Sequence, residues 1–280
     1  MVQFGFCKSH HDITYKTNLF YRNIYMSFFN CLLHKSLKIK RDNRKFILFV
    51  YLLFSCCQIT LATHKVYVIH GYAGSAMQMA KICNGLTSEG YVTENYIYPS
   101  FKKNLDSIGL DLYRKVKQDN YDTVSFITHS MGALVVRSMY QYMDSTIQFP
   151  FIYRFVMLAP PNKGTEMADF FSNSALKSFL GPNVSLMRTD SGSYVYKLPI
   201  PTCETGLIVG IKGKKPWFNP FMKDDNDGTV TMKRAILGNE KEITTVKSMH
   251  ILMPLKKKVI KLVRRFMKTG SFTEILFLKN

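Results

Sequence analysis

D-T-V-S-F-I-T-H-S-M-G-A-L-V-V-R, residues 122–137, carries two secondary-structure signals back to back. The β-branched and aromatic run 123–128 predicts a buried strand. The apolar run 133–140 predicts a helix. Between them lies His129-Ser130-Met131-Gly132, a serine on a tight strand-to-helix turn with glycine two residues later. That is the G-x-S-x-G elbow with Thr128 in place of the first glycine. Such a turn lifts the Ser130 hydroxyl clear of the sheet and lets the helix pass close to the strand at Gly132. It also aims helix N-terminal N–H groups at any negative charge formed there. The plainer reading is a serine at an ordinary helix N-cap. The pentapeptide alone does not separate the two.

Working outward, strands are expected at 65–69, 91–98, 153–159, 204–211 and 243–246. Helices are expected at 75–89, 104–118 and 254–268. In 104–118, Leu105, Ile108, Leu112 and Val116 recur at three- and four-residue steps, which marks a core-facing stripe. The β-α-β-α-β-α order up to residue 140 is the rhythm of an α/β fold, a mainly parallel sheet with helices on both faces. Residues 160–201 show no clear strand. They read either as a short cap over a site or as a surface helix whose phenylalanines pack on the sheet. The final helix sets Val259, Leu262, Val263 and Phe266 opposite Lys257, Lys258, Lys261, Arg264 and Arg265. It is expected to dock on the sheet, with contact to an anionic membrane surface as the alternative.

The 280 residues carry a formal net charge of +19. No basic patch interleaved with stacking aromatics forms a known nucleic-acid module, so nucleic acid is not expected as a partner. Residues 1–62 stand apart from 63–280. Lysine and arginine crowd 35–45, residues 46–62 carry no charge, and Thr60-Leu61-Ala62 ends the run. Basic, apolar, then small is the order of a secretory signal. The expectation is export, periplasmic or secreted, with an inner-membrane anchor through 46–62 as the alternative. The long leader also suggests a start downstream of Met1, with Met26 a candidate. Past the leader, 29 basic against 17 acidic residues leave +12, and Cys83 and Cys203 remain for one disulfide.

Ser130 needs a base, and the base needs an acid to orient it. Four histidines follow the leader: His64, His70, His129 and His250. His64 precedes the first strand. His70 sits in a His-Gly loop suited to supplying backbone donors, with the Tyr72 N–H as one and the Met131 N–H as the other. His129 adjoins the serine, so its side chain is expected to leave the turn in another direction. His250 follows a strand and is the expected base. Asp227 precedes a glycine after the strand 204–211 and is the expected acid, with Asp225 and Asp224 as fallbacks. The same acidic loop allows a calcium reading, but it lacks the twelve-residue loop with a terminal glutamate. The resulting chain order is Ser, Asp, His.

Residues 65–270 resemble the bacterial lipase/esterase-like α/β-hydrolases. The resemblance rests on I-H-G-Y-A-G (69–74), F-I-T-H-S-M-G-A-L-V-V-R (126–137), M-L-A-P-P-N-K-G-T-E (157–166), D-G-T-V-T (227–231) and S-M-H (248–250). It implies an α/β-hydrolase fold, Ser130 as nucleophile, Asp227 as acid, His250 as base, and Tyr72 and Met131 N–H groups as oxyanion donors. Asn162 and Gly164 fall in a family-like turn near the site with no assigned role. What the resemblance implies is a serine hydrolase acting on an ester or acyl-lipid substrate with no cofactor. Acyl transfer or thioester cleavage would share the acyl-enzyme. A non-catalytic protein binding a membrane or partner is the rival from another class.

Overall fold

Strands that are apolar on both faces are stable only with helices over each face. The computed structural model, which describes residues 63–212 and 222–274, is built that way. Its strands are β1 (His64–Ile69), β2 (Val92–Tyr96), β3 (Thr123–His129), β4 (Phe151–Leu158), β5 (Glu204–Gly210) and β6 (Glu242–Val246). All pair in parallel in the order β2-β1-β3-β4-β5-β6, so the sheet expected to be mainly parallel is parallel throughout the described residues. The chain runs outward from β1 to β2, then returns to β3 and continues in the other direction. The crevice at the ends of β1 and β3 is therefore the topological switch point, where open parallel sheets bind ligands.

Two-residue alternation divides the core. Tyr67, Ile69, Phe126, Phe155 and Met157 face one layer, which α2 (Leu105–Asp119) and α3 (Gly132–Met139) cover. Val66, Val68, Ile127, Val156 and Ile208 face the other, under α1 (Ala76–Thr87) and a C-terminal helix, α8 (Lys257–Thr269). Leu105, Ile108, Leu112 and Val116 of α2 are fully buried, and each such side chain contributes roughly 2 kcal/mol of transfer free energy. The Asn104 side chain caps this helix by accepting from Ser107 N–H at 2.8 Å, and Asn120 ends it in the left-handed region at φ 52°.

Val259, Val263 and Phe266 of α8 are fully buried. That stripe belongs to the core, so it is not free to lie on lipid headgroups. Pro254, expected at the helix start, instead lies in a 3-10 turn, His250–Leu255, and α8 begins only at Lys257. Between β4 and β5 the chain forms short helices: α4 (Glu166–Ser172), α5 (Asn183–Leu186) and α6 (Tyr194–Lys197). Helix α7 (Met232–Ala235) precedes β6. Cys83 and Cys203 are free thiols. The Cys83 thiol meets the Thr93 hydroxyl at 3.2 Å and Cys203 accepts from the Tyr140 hydroxyl at 3.5 Å, so the disulfide is not formed. Among the described residues no helix is long and apolar enough to cross a membrane. The leader 1–62, with its signal or anchor reading and Met26, lies outside the described residues.

Candidate active site

β3 ends at His129, and Ser130 turns the chain with φ +52° before α3 begins at Gly132. A non-glycine residue held there costs on the order of 1–3 kcal/mol, which the surrounding structure must offset. An N-cap serine is extended and bonds a helix N–H. Ser130 does neither, so the plain N-cap reading fails. Two glycines permit the turn. A Cβ on Gly132 would sit 2.6 Å from the His70 carbonyl oxygen and 2.9 Å from that of Ile69. A Cβ on Gly71 would sit 2.8 Å from the Ser130 Cβ. The loop after β1 thus lies directly against the serine turn. Thr128, the departure from the elbow pattern, is fully buried, with its hydroxyl 3.5 Å from the Val156 carbonyl.

Ser130 Oγ lies 2.9 Å from His250 Nε2, and His250 Nδ1 lies 2.7 Å from Asp227 Oδ2. These groups come from turns after β3, β5 and β6. Asp227 is buried, and its other carboxylate oxygen accepts from the N–H groups of Thr229 at 2.9 Å and Val230 at 2.8 Å. That pair fixes the carboxylate's rotation, so Oδ2 has one direction left, toward the imidazole. Nδ1 donates to it, which leaves Nε2 free to accept from the serine hydroxyl. Gly210 at the end of β5 makes room, since a Cβ there would lie 2.7 Å from Asp227 Cβ. Of the fallback acids, Asp224 is exposed and Asp225 half-buried, and neither meets His250. Among the described residues no three His, Cys, Asp or Glu side chains converge as a metal-holding cluster.

The Tyr72 and Met131 N–H groups, the expected donors, flank this turn and are not engaged by another described residue. The Tyr72 loop is held from behind. Its hydroxyl donates to the Leu180 carbonyl at 2.6 Å. His70 is buried, stacked on Tyr98 at 4.2 Å, with Nδ1–H donating to the Gly71 carbonyl at 2.8 Å. Its Nε2 accepts from the Tyr98 N–H at 3.3 Å. Burial lowers the His70 pKa, so the ring stays neutral.

A cavity of about 490 Å³ opens over Ser130 and His250. Ala168, Phe171, Leu180, Val184 and Met187 supply an apolar wall from the 160–201 segment. Phe170 and Phe179 are instead exposed, so those two do not pack on the sheet. Chemically, the arrangement couples a hydroxyl to an imidazole beside backbone donors, next to a surface that favours hydrocarbon.

No protein-family model and no curated protein matches the chain. Solved structures do. The mature form of the lipase BlEst2 from Bacillus licheniformis aligns over 75% of this chain and 93% of its own, with a TM-score of 0.56 at 20% identity. The propeptide form aligns over 72% of this chain and 50% of its own, with a TM-score of 0.57 at 18% identity. This chain has an α/β-hydrolase fold. At such identities the likeness is one of architecture.

Within this α/β-hydrolase fold, three side chains matter that sequence reasoning left without a role. His129 is buried and its Nε2–H donates to the main-chain carbonyl of His250 at 3.1 Å, the two rings lying 4.7 Å apart. It leaves the serine, as expected, but packs on the base. Burial, with the neighbouring His250, holds its pKa well below the usual value. Arg137 is buried and donates to the carbonyls of Asn162, Val195, Leu198 and Pro199. Burial pushes its pKa down to about 10. Asn162 is buried, accepting from Arg137 and donating to the Ala235 carbonyl at 2.8 Å. The turn at Gly164 has φ +78° and leaves no room for a Cβ beside the Arg188 carbonyl. The motif M-L-A-P-P-N-K-G-T-E was the signal for the last two. Nothing in A-L-V-V-R marks its arginine.

Proposed function

We propose that this protein is a serine hydrolase that cleaves carboxylic esters bearing an acyl chain. The observation that carries the reading is the continuous relay from Asp227 Oδ2 through His250 to Ser130 Oγ, at 2.7 and 2.9 Å. Ser130 Oγ attacks the ester carbonyl while its proton passes to His250 Nε2. The tetrahedral oxyanion takes hydrogen bonds from the Tyr72 and Met131 N–H groups. Collapse breaks the bond to the alkoxide, which takes the proton back from His250 and leaves as the alcohol. Water then attacks the acyl-Ser130 ester with His250 as base, and the acid departs. Asp227 holds the imidazole tautomer and stabilises the imidazolium. These steps use only this chain's groups and water. The apolar wall of Ala168, Phe171, Leu180, Val184 and Met187 suits hydrocarbon, which favours an acyl chain over a polar substituent. That BlEst2, a lipase, shares the architecture agrees with the reading without carrying it.

The leader fits an enzyme delivered outside the cytoplasm, with 46–62 serving as a signal or an anchor. The test of the chemistry is labelling by a fluorophosphonate probe. Wild type is expected to label and Ser130→Ala is not. Wild type that stays unlabelled under native conditions refutes the assignment. A series of p-nitrophenyl esters of graded length then reads out the preferred acyl chain.

A further inference from the structure

Two groups of exposed large apolar side chains lie beside the opening of the cavity. On one side Phe179 is 81% exposed and Phe101 is also exposed, its ring 4.9 Å from that of Tyr72. Phe179 adjoins Leu180, whose carbonyl holds the Tyr72 hydroxyl, and Gly181 packs against the Phe101 backbone. On the other side Met77 is 82% exposed, with Ile251 and Leu252 also exposed. The Gln78 side chain donates to the Ile251 carbonyl at 3.4 Å, which ties these together. Tyr72, Leu180, Gln78 and Ile251 all line the cavity, so both groups border one opening. Exposed lysines continue each side. Lys102 and Lys103 follow Phe101, and Lys256, Lys257 and Lys258 follow the turn that carries Ile251 and Leu252. Of these five, Lys103 has an acidic partner among the described residues, Asp111 at 2.5 Å.

We propose that this rim docks on a bilayer containing anionic lipid, with the apolar side chains entering the acyl region and the lysines at the headgroup phosphates. Apolar side chains backed by cations match the depth profile of such a surface. A two-fold contact with a second copy through this rim would bring the lysines of either side against those of the other copy, which like-charge repulsion disfavours. The apolar stripe of α8 is buried, so that helix offers no such face, whereas the rim exposes apolar and basic groups side by side. Docking there would let acyl substrate enter the cavity from the bilayer. That last step rests on the ester-hydrolase reading, whereas docking does not.

The test is sedimentation of the full chain with vesicles of phosphatidylcholine, alone or mixed with phosphatidylglycerol, at low and high salt. Salt-sensitive preference for the mixed vesicles is expected. Each lysine near an anionic surface is worth about fivefold, so Lys257→Glu with Lys258→Glu should weaken that binding at least about 25-fold. Both positions lie in the first turn of α8, where acids suit the helix dipole, so folding is not the variable. Phe179→Ser should weaken binding to both vesicle types by about tenfold. Turnover of a soluble short-chain ester should be unchanged in all variants. Undiminished vesicle binding by the variants overturns the proposal. Concentration-dependent dimerisation abolished by Phe179→Ser also overturns it, by assigning the rim to a second copy. Rim-dependent binding without ester turnover would sink the hydrolase reading and leave docking intact, and turnover without rim-dependent binding would do the reverse.

Discussion

Replacing Asp227 by asparagine changes one oxygen for an NH₂ group, and the surroundings dictate where that group must go. The carboxylate oxygen Oδ1 accepts two main-chain hydrogen bonds, from Thr229 at 2.9 Å and Val230 at 2.8 Å. Asparagine keeps both only if its carbonyl oxygen occupies that place. Its NH₂ then points at His250 Nδ1. The opposite flip sets NH₂ against two N–H donors and loses both bonds, about 1.5 kcal/mol each and about 3 kcal/mol together. The unproductive flip is therefore favoured roughly 150-fold. An amide donor facing Nδ1 forces that nitrogen to be the acceptor, so the ring proton moves to Nε2 and faces the Ser130 hydroxyl. Under that tautomer the ring cannot accept the serine proton. Loss of the carboxylate also removes roughly 3 kcal/mol of imidazolium stabilisation, taking a charge separation of ~5 Å and an effective dielectric of ~20. The two losses together give about 10⁴-fold in kcat, the size found for the same change in a serine-protease triad. The assay is kcat on a soluble p-nitrophenyl ester, with thermal unfolding to show that the near-isosteric change leaves the fold within a few degrees. A fall of less than about tenfold would refute the tautomer argument and with it the role of Asp227.

Gly132→Ala should cost about 3 kcal/mol or abolish soluble expression, because the new Cβ would press on two main-chain oxygens, of Ile69 at the end of β1 and of His70 just after it, that cannot rotate away; urea unfolding measures it. Arg137→Met should leave the buried carbonyls of Asn162, Val195 and Leu198, and the half-buried one of Pro199, without this partner at a cost of about 3–5 kcal/mol, seen as a lowered urea midpoint. Arg137→Lys should recover only part of that, since an ammonium cannot span the same acceptors. Burial keeps the folded pKa of His70 and of His129 below the usual histidine value, so the unfolded chain binds protons that the fold does not. Their contribution to stability is complete above about pH 6.5 and declines as pH falls, by up to about 1.4 kcal/mol per pH unit for each ring. Thermal unfolding from about pH 7.5 to about pH 5 should show the decline, with a shallower slope in His129→Gln; an equal slope would exclude His129 as a source.

The strands were legible because parallel strands buried on both faces are apolar runs, and V-S-F-I and F-V-M-L are little else. Boundaries were less so. The stripe in α2 does not say that Asn120 would take the left-handed cap, and Pro254 reads equally as a helix start or as part of the 3-10 turn that it joins. Sequence order and position pointed to Asp227 as the acid in a Ser, Asp, His succession, and left Asp225 and Asp224 as fallbacks that only the fold separates from it. Only Asp227 is buried beside His250, with its rotation set by Thr229 and Val230. The groups that brace the site were hidden for a different reason. An arginine after four apolar residues is by default a solvent-facing side chain. Arg137 becomes interior only because main-chain carbonyls of a segment 58 to 62 residues away turn toward it.

The serine and the base are 120 residues apart in the chain, and their distance is held through the backbone of the base. The His250 N–H donates to the Asp227 carbonyl at 2.9 Å, and its own carbonyl accepts from His129 Nε2 at 3.1 Å. One pin comes from the acid, the other from the residue next to the serine. The imidazole is thus located by the same two turns whose side chains it must join. A shift of the β5 or β3 end carries the base with it, which keeps the two relay distances correlated. Because these pins are main-chain to His250, they ask nothing of the flanking side chains Met249 and Ile251, both exposed. The 248–252 turn can therefore present apolar groups outward at the cavity mouth while its centre stays registered on the serine. The physical separation of those two demands, one met by backbone and the other by side chain, is what lets an exposed apolar rim coexist with the Asp227–His250–Ser130 relay.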